Sequence, residues 1–360
     1  MGMLENIQSG RESKPPRIMI YGSEGVGKAQ PLDAQVLTPT GFVEMGAIHV
    51  GDRVIGADGK AHKVLAVFPQ GEKEVFRVTF RDGSQTECTD EHLWFTQTRS
   101  ERDHAQPGAV RNMNTIRHTL RCGTHFNHGV PRVAPAEFET SAELPISPWL
   151  LGVYLAEGNC GSSAIISNPE PDILKRIADS VPESDTTSAA ERSIRIRKRQ
   201  YGSAPSEFRK GLASLGLEDK ISDTKFIPSQ YLMASVEDRQ ELLRGLCDGD
   251  GYVVRPGAVE ISTVSPQMAK DILFLVRSLG GSATMEVRPA HYRKNGEKHD
   301  TKPSHRIYAS FTNGIVPVAS AKHMAKWKFP EWMIRHTIRN VEFVGRKACQ
   351  CIVIDALDSL

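Results

Sequence analysis

Apolar positions along the chain come in three textures. Residues 18–21 (IMIY) form a short continuous apolar run that reads as a buried strand. From Ala29 to about 137 the runs are short and β-like, with strand candidates at 36–37, 53–55, 63–68 and 75–80 separated by Thr-Gly, Ala-Asp-Gly and Arg-Asp-Gly turn signals. That texture alone supports a compact all-β module. Between about 140 and 330 the order becomes apolar helix, strand, polar turn, helix, and it occurs twice. Residues 150–158 (LLGVYLAEG) precede a strand at 164–167 and a helix at 172–181. Residues 243–251 (LRGLCDGDG) precede a strand at 259–262 and a helix at 267–279. Ser167 lies 10 residues past Glu157, and Ser262 lies 12 past Asp250.

Composition narrows the class. A chain of 360 residues has room for two or three domains, each with its own core. No apolar run approaches the roughly 20 residues that span a bilayer, and the first residues lack the apolar centre of a signal peptide. A cytoplasmic monomer with no membrane partner and no small-molecule substrate is the expectation. The net charge of +2 conceals basic clusters at 193–210 and 288–306, which point to an anionic partner for that region. Six cysteines in an unsecreted chain of this length are not a disulfide framework. Cys349 and Cys351 are too few for a closed zinc site, so one reactive thiol is the better reading.

Residues 22–28 (GSEGVGK) follow the first strand and fit G-x-x-x-x-G-K. In that motif the glycines, here Gly22 and Gly27, let backbone N–H groups face phosphates, and the lysine, Lys28, reaches the β/γ oxygens. The next position should be the Ser or Thr that binds Mg²⁺ and opens a helix. The chain instead has Ala29-Gln30-Pro31, and a turn signal at 38–41 excludes that helix. ATP hydrolysis is not expected. A nucleotide-binding ATPase fragment is the competing function, and nucleotide affinity would separate the two.

Residues 30–60 (QPLDAQVLTPTGFVEMGAIHVGDRVIGADGK) resemble the opening block of inteins and of the related Hedgehog autoprocessing (Hint) domain. Residues 83–94 (GSQTECTDEHLW) resemble their second block, with Thr89 and His92 in the T-x-x-H positions, and residues 340–355 (NVEFVGRKACQCIVID) resemble their C-terminal strands. The resemblance implies that Thr89 and His92 act on the Lys28–Ala29 bond, His92 donating a proton to the amine of Ala29. Most inteins begin with Cys or Ser, and alanine cannot attack. Either an engineered change replaced a cysteine, or the chain resembles the minority class in which an internal cysteine attacks the N-terminal junction. Trp94 and Cys351 stand at the two positions that mark that class, which favours the second reading and makes Cys351 the nucleophile. The family continues to a His-Asn followed by Cys, Ser or Thr. The chain stops at Leu360, so N-terminal cleavage rather than complete splicing is expected of it.

The two nonapeptides resemble the LAGLIDADG motif of homing endonucleases. Gly152, Gly245, Ala156 and Gly249 would let the two helices pack side by side, bringing Glu157 and Asp250 together as metal ligands. Mg²⁺ is the implied cofactor, for cleavage of double-stranded DNA. Lys225, in KFIP at 225–228, matches a lysine the family uses near the active site. Strands bearing Arg195, Arg197, Arg199, Arg288 and Arg293 would lie along DNA. The expected target is the gene of the same RecA-like or AAA-type ATPase, phage or bacterial, without the insertion. A degenerate, purely DNA-binding insertion is the alternative. The predicted architecture is multidomain: a host flank with partial phosphate loop (1–28), an all-β Hint horseshoe split into 29–137 and a truncated 335–360, and an α+β LAGLIDADG endonuclease of two pseudo-symmetric repeats (140–332).

Overall fold

The computed structural model describes residues 29–139, 143–200, 204–294, 297–330 and 335–356, with only the backbone at 292–294 and 297–300. The phosphate-loop positions Gly22, Gly27 and Lys28 lie outside those residues. Boundaries between 139 and 140 and between 332 and 333 separate two compact units.

The first unit is built on two long antiparallel strands, Ala61–Phe80 and His336–Ile354, paired from Ile338 opposite Phe80 to Ile354 opposite Val64. The sequence predicts two strands, 63–68 and 75–80, where the structure has one. Polar residues 69–74 stay extended because 346–350 continue the ladder beside them, and a β-bulge at 69–71, with Gly71 at φ +66°, absorbs the extra residue. Gln85–Thr89 and Arg53–Ile55 pair with different stretches of Ala61–Phe80, and Gln30–Pro31 pairs with His336–Ile354. The Thr-Gly turn signal closes a tight hairpin between Gln35–Thr38 and Gly41–Glu44, where Thr38 Oγ1 donates to the Gly41 carbonyl at 2.7 Å and Gly41 takes φ +125°. One apolar cluster gathers Val36, Val54, Val64, Ile352 and Ile354. A second gathers Phe80, Trp94, Met113, Ile116 and Ile338.

The second unit repeats one plan. Each repeat has a motif helix, Pro148–Glu157 or Val236–Asp250, followed by a four-stranded antiparallel sheet and a covering helix. The first sheet runs in space as Gly158–Cys160, Ala164–Ser167, Ser193–Lys198, Asp185–Ala190. The second runs as Gly251–Arg255, Ala258–Thr263, Glu297–Ser310, Ser282–Lys294. The helices Pro171–Ser180 and Pro266–Ser278 pack against these sheets. Ile194 and Ile196 are buried, so alternation places Arg195 and Arg197 on the opposite face of their strand.

Candidate splicing and nuclease sites

The start of the first unit is held by backbone. Thr89 ends its strand, and its N–H donates to the carbonyl oxygen of Ala29 at 3.1 Å. Gln30 pairs with Gln350 and Pro31 with Cys349, so the next step of that register sets Ala29 opposite Cys351. Ile352 and Ile354 belong to the first apolar cluster; Cys349 and Cys351 therefore lie on the other face of their strand. Cys349 packs there with Ala29 and Val75, and burial pushes its thiol pKa up. Cys351 is buried as well.

His92 follows Thr89 in a tight turn, its N–H donating to the Thr89 carbonyl at 3.2 Å. Its ring meets Trp94 edge-on at 5.6 Å. Trp94 is 1% exposed, tilted against Phe80 at 6.1 Å. It is a core aromatic that limits how His92 can turn. Thr89 Oγ1 is buried and has no hydrogen-bond partner among the described residues.

The motif helices of the second unit touch through glycine. A Cβ on Gly152 would stand 2.9 Å from Gly245 Cα, and one on Gly249 would stand 2.5 Å from Ala156 Cβ and 3.5 Å from Glu157 Cγ. Glu157 and Asp250 thus come off adjacent helix ends. Burial raises the Glu157 carboxyl, Asp250 raises it further and Lys225 opposes both. Burial pushes the Asp250 carboxyl up to about 6. Among the described residues no group of three or more His, Cys, Asp or Glu converges. Two carboxylates alone make no closed cage, but they suit Mg²⁺, which keeps much of its water and takes further oxygens from phosphate.

Lys225 is 2% exposed. Its Nζ donates to the carbonyls of Tyr154 (2.9 Å), Leu155 (3.0 Å) and Gly158 (2.6 Å), closing the C-terminal end of the first motif helix beside Glu157. Burial lowers its pKa to about 8, against the pull of Glu157. A cation at a helix C-terminus also meets the negative end of the helix dipole.

Residues 226–323 match the homing endonuclease family. The chain is 25% identical over 169 residues to the homothallic switching endonuclease of Saccharomyces cerevisiae, covering 39% of this chain and 28% of that protein. It is 32% identical over 281 residues to the replicative DNA helicase DnaB of Mycobacterium intracellulare, covering 73% of this chain and 44% of that protein. The chain thus spans less than half the length of either relative. Among solved structures, the gp41-1 intein aligns at 29% identity with a TM-score of 0.21, covering 28% of this chain and 73% of that one. Residues 226–323 belong to the homing endonuclease family, and the chain is similar to inteins.

In the endonuclease unit the predicted basic residues are unequally placed. Arg195 and Arg197 share the outer face of Ser193–Lys198, beside a concave patch also lined by Lys198 and Arg209. Arg199 lies one residue beyond that strand rather than in it; its N–H and side chain turn back to the carbonyls of Ser184 (3.0 Å) and Asp185 (3.3 Å). Arg288 is on its strand and exposed, but it is paired with Glu286 at 2.8 Å, so part of its charge is answered locally. The side chain of Arg293 lies outside the described residues.

Several polar groups are invisible to sequence reasoning. In the intein unit Lys347 Nζ bridges Asp33 (2.8 Å) and the fully buried Glu87 (2.6 Å), and Glu87 also takes Arg77 at 3.0 Å. Burial lowers the Lys347 pKa, but its two acid partners outweigh this and hold it above the ordinary value. In the endonuclease unit buried Glu260 pairs with Arg306 at 3.6 Å and lies opposite Tyr252 and Tyr308 across the sheet. Asp248 accepts from Trp149 Nε1 at 3.0 Å and from the N–H groups of Ala319 and Ser320. A Cys-x-Cys in a strand, with both side chains on one face, is the one available signal for Cys349; the ion pairs join residues too distant in sequence to be seen.

Proposed function

We propose that the chain is a self-processing splicing element whose inserted unit cuts double-stranded DNA at a specific site. The observation that carries this reading is the close approach of Gly152 to Gly245, which sets Glu157 and Asp250 at adjacent helix ends. Burial disfavours both charged carboxylates there, and Asp250 raises Glu157 further; a divalent cation would relieve this. Bound Mg²⁺ would activate water and stabilise the leaving oxygen. Glu157 and Asp250 would hold that ion, Lys225 would fix the helix end that presents Glu157, and Arg195 and Arg197 would take backbone phosphates.

In the intein unit the scissile bond is Lys28–Ala29. The Cys351 thiolate attacks the Lys28 carbonyl carbon, a thioester forms as the C–N bond breaks, and His92 protonates the departing amine of Ala29. The Thr89 N–H, already bound to the Ala29 carbonyl, fixes the peptide on the departing side. The relatives named as DNA helicases support a helicase as host, and the target is then the host gene lacking the insertion.

A plasmid carrying that joined site should be linearised by the chain with Mg²⁺ and left intact with EDTA. Glu157→Gln with Asp250→Asn should abolish cutting while DNA binding persists. Undiminished cutting by that double variant overturns the assignment.

A further inference from the structure

The second repeat grips the segment that delivers Lys225 to the first. Lys225 sits in an irregular stretch, residues 225–228, between helices. Two side chains of the region that opens Pro266–Ser278 hold that stretch by its backbone. Ser265 Oγ donates to the Lys225 carbonyl at 2.6 Å, and Asp271 Oδ2 accepts from the Ile227 N–H at 2.8 Å. Ser265 also caps its helix by accepting from the Met268 N–H at 3.1 Å, and Gln267 Nε2 steadies the other oxygen of Asp271 at 2.8 Å. Ser265, Asp271 and Lys225 are all buried. A carboxylate on the interior side of a helix is expensive unless its hydrogen bonds are worth keeping. Here these two side chains pin the backbone of Lys225 itself and of the residue two places on, next to the ammonium that closes the Glu157 helix.

We propose that Asp271 and Ser265 are positioning residues for the nuclease reaction, fixing Lys225 at the Glu157 helix end. Neither touches Glu157 or Asp250 in the structure; they act through Lys225. The inference rests on the endonuclease reading for its activity arm, and its labelling arm is independent of that reading.

The test uses the full chain with Asp271→Leu, Asp271→Asn, Ser265→Ala, Lys225→Met and the Asp271→Leu/Lys225→Met double variant. Asparagine keeps an acceptor for the Ile227 N–H; leucine keeps the volume without one. Acetic anhydride labelling with peptide mass spectrometry reads Lys225 against Lys210, an exposed control. In the parent Lys225 should label at least about tenfold more slowly than Lys210, because reaction waits on local opening. Asp271→Leu and Ser265→Ala should raise Lys225 labelling while Lys210 is unchanged, and Asp271→Asn should stay near the parent. In plasmid cleavage with Mg²⁺, Asp271→Leu should slow cutting about tenfold to a hundredfold at unchanged DNA affinity. It should add nothing in the Lys225→Met background, where the group it positions is gone.

Multiplying effects in the double variant, or folded Asp271→Leu and Ser265→Ala chains with parental Lys225 protection, overturn the proposal. Should Asp271→Leu not fold, Ser265→Ala decides alone. A parent that cuts no DNA while the labelling follows the expected order removes the endonuclease reading and leaves the positioning of Lys225 standing.

Discussion

Gly245 and Trp149 meet through their backbones: a Cβ added to Gly245 would stand 2.1 Å from the Trp149 carbonyl oxygen. That atom belongs to the neighbouring motif helix and cannot swing aside as a flexible side chain would. Gly245→Ala must therefore push the two helices apart. The expected cost is about 1–3 kcal/mol of stability, read by chemical denaturation, with cleavage falling further than stability because the two acids separate. An alanine variant as stable and as active as the parent would contradict the close approach of the helices.

The repeat in the endonuclease unit is legible because its signals are local. Two nonapeptides with glycine and an acid at matching offsets, each followed by strand and helix, fix the plan without knowledge of long-range pairing. Strand boundaries at 53–55 and 164–167 are legible for the same reason. The long strand Ala61–Phe80 is not, because residues 69–74 are polar and stay extended only through a partner nearly three hundred residues away. Lys225 shows the same limit from the other side. Its sequence context marks it as a candidate, but nothing local tells that three carbonyls of a distant helix end bury it. Trp94 carries a class signature in sequence, while the structure gives it a packing role against Phe80 and His92.

Asp271 should leave a pH signature on stability. Its buried carboxyl is pushed up to about 7 by burial, against the opposing hydrogen bonds from Ile227 and Gln267. The folded chain then binds a proton more tightly than the unfolded one between the ordinary carboxylate pKa, about 4, and about 7. Stability from this group is full below the lower value and is lost as pH rises through the upper one. Asp271→Asn removes that slope. Denaturation midpoints of Asp271→Asn relative to the parent should therefore improve between pH 4 and pH 7 and level off above it. A difference that is constant with pH would show that the carboxyl titrates normally.

Arg195 and Arg197 should contribute to DNA affinity through charge alone. They share one strand face, and neither has an ion pair among the described residues, unlike Arg288 with Glu286. Removing one charge that neutralises a phosphate should reduce the salt slope of binding by about 0.9. Arg195→Ala and Arg197→Ala should each flatten log K against log salt by about that amount, without changing which sequence is preferred. Arg288→Ala should flatten it less. Fluorescence titrations over a salt series measure this, and equal slopes for all three variants and the parent would remove these arginines from the interface.

Cys349 and Cys351 share one strand face, and cleavage at the proposed junction distinguishes them. Cys349 shares a small buried cluster with Ala29 and Val75, and it lies two residues from Lys347, whose positive charge favours its thiolate while Asp33 opposes it. Cys351 falls opposite Ala29 when the Gln30–Gln350 register is continued, in line with the position that the family resemblance singles out. Burial holds the Cys349 thiol up, and its Sγ lies 3.3 Å from its own strand at the Lys347 carbonyl, so its geometry is that of a small packed side chain. Cys351→Ala should abolish cleavage at Lys28–Ala29, and Cys349→Ala should keep it within a few-fold. Mass spectrometry after incubation with a thiol, which intercepts the Lys28 thioester, reads both. The reverse ranking would transfer the nucleophile to Cys349, and cleavage by both single variants would exclude either thiol as the sole nucleophile.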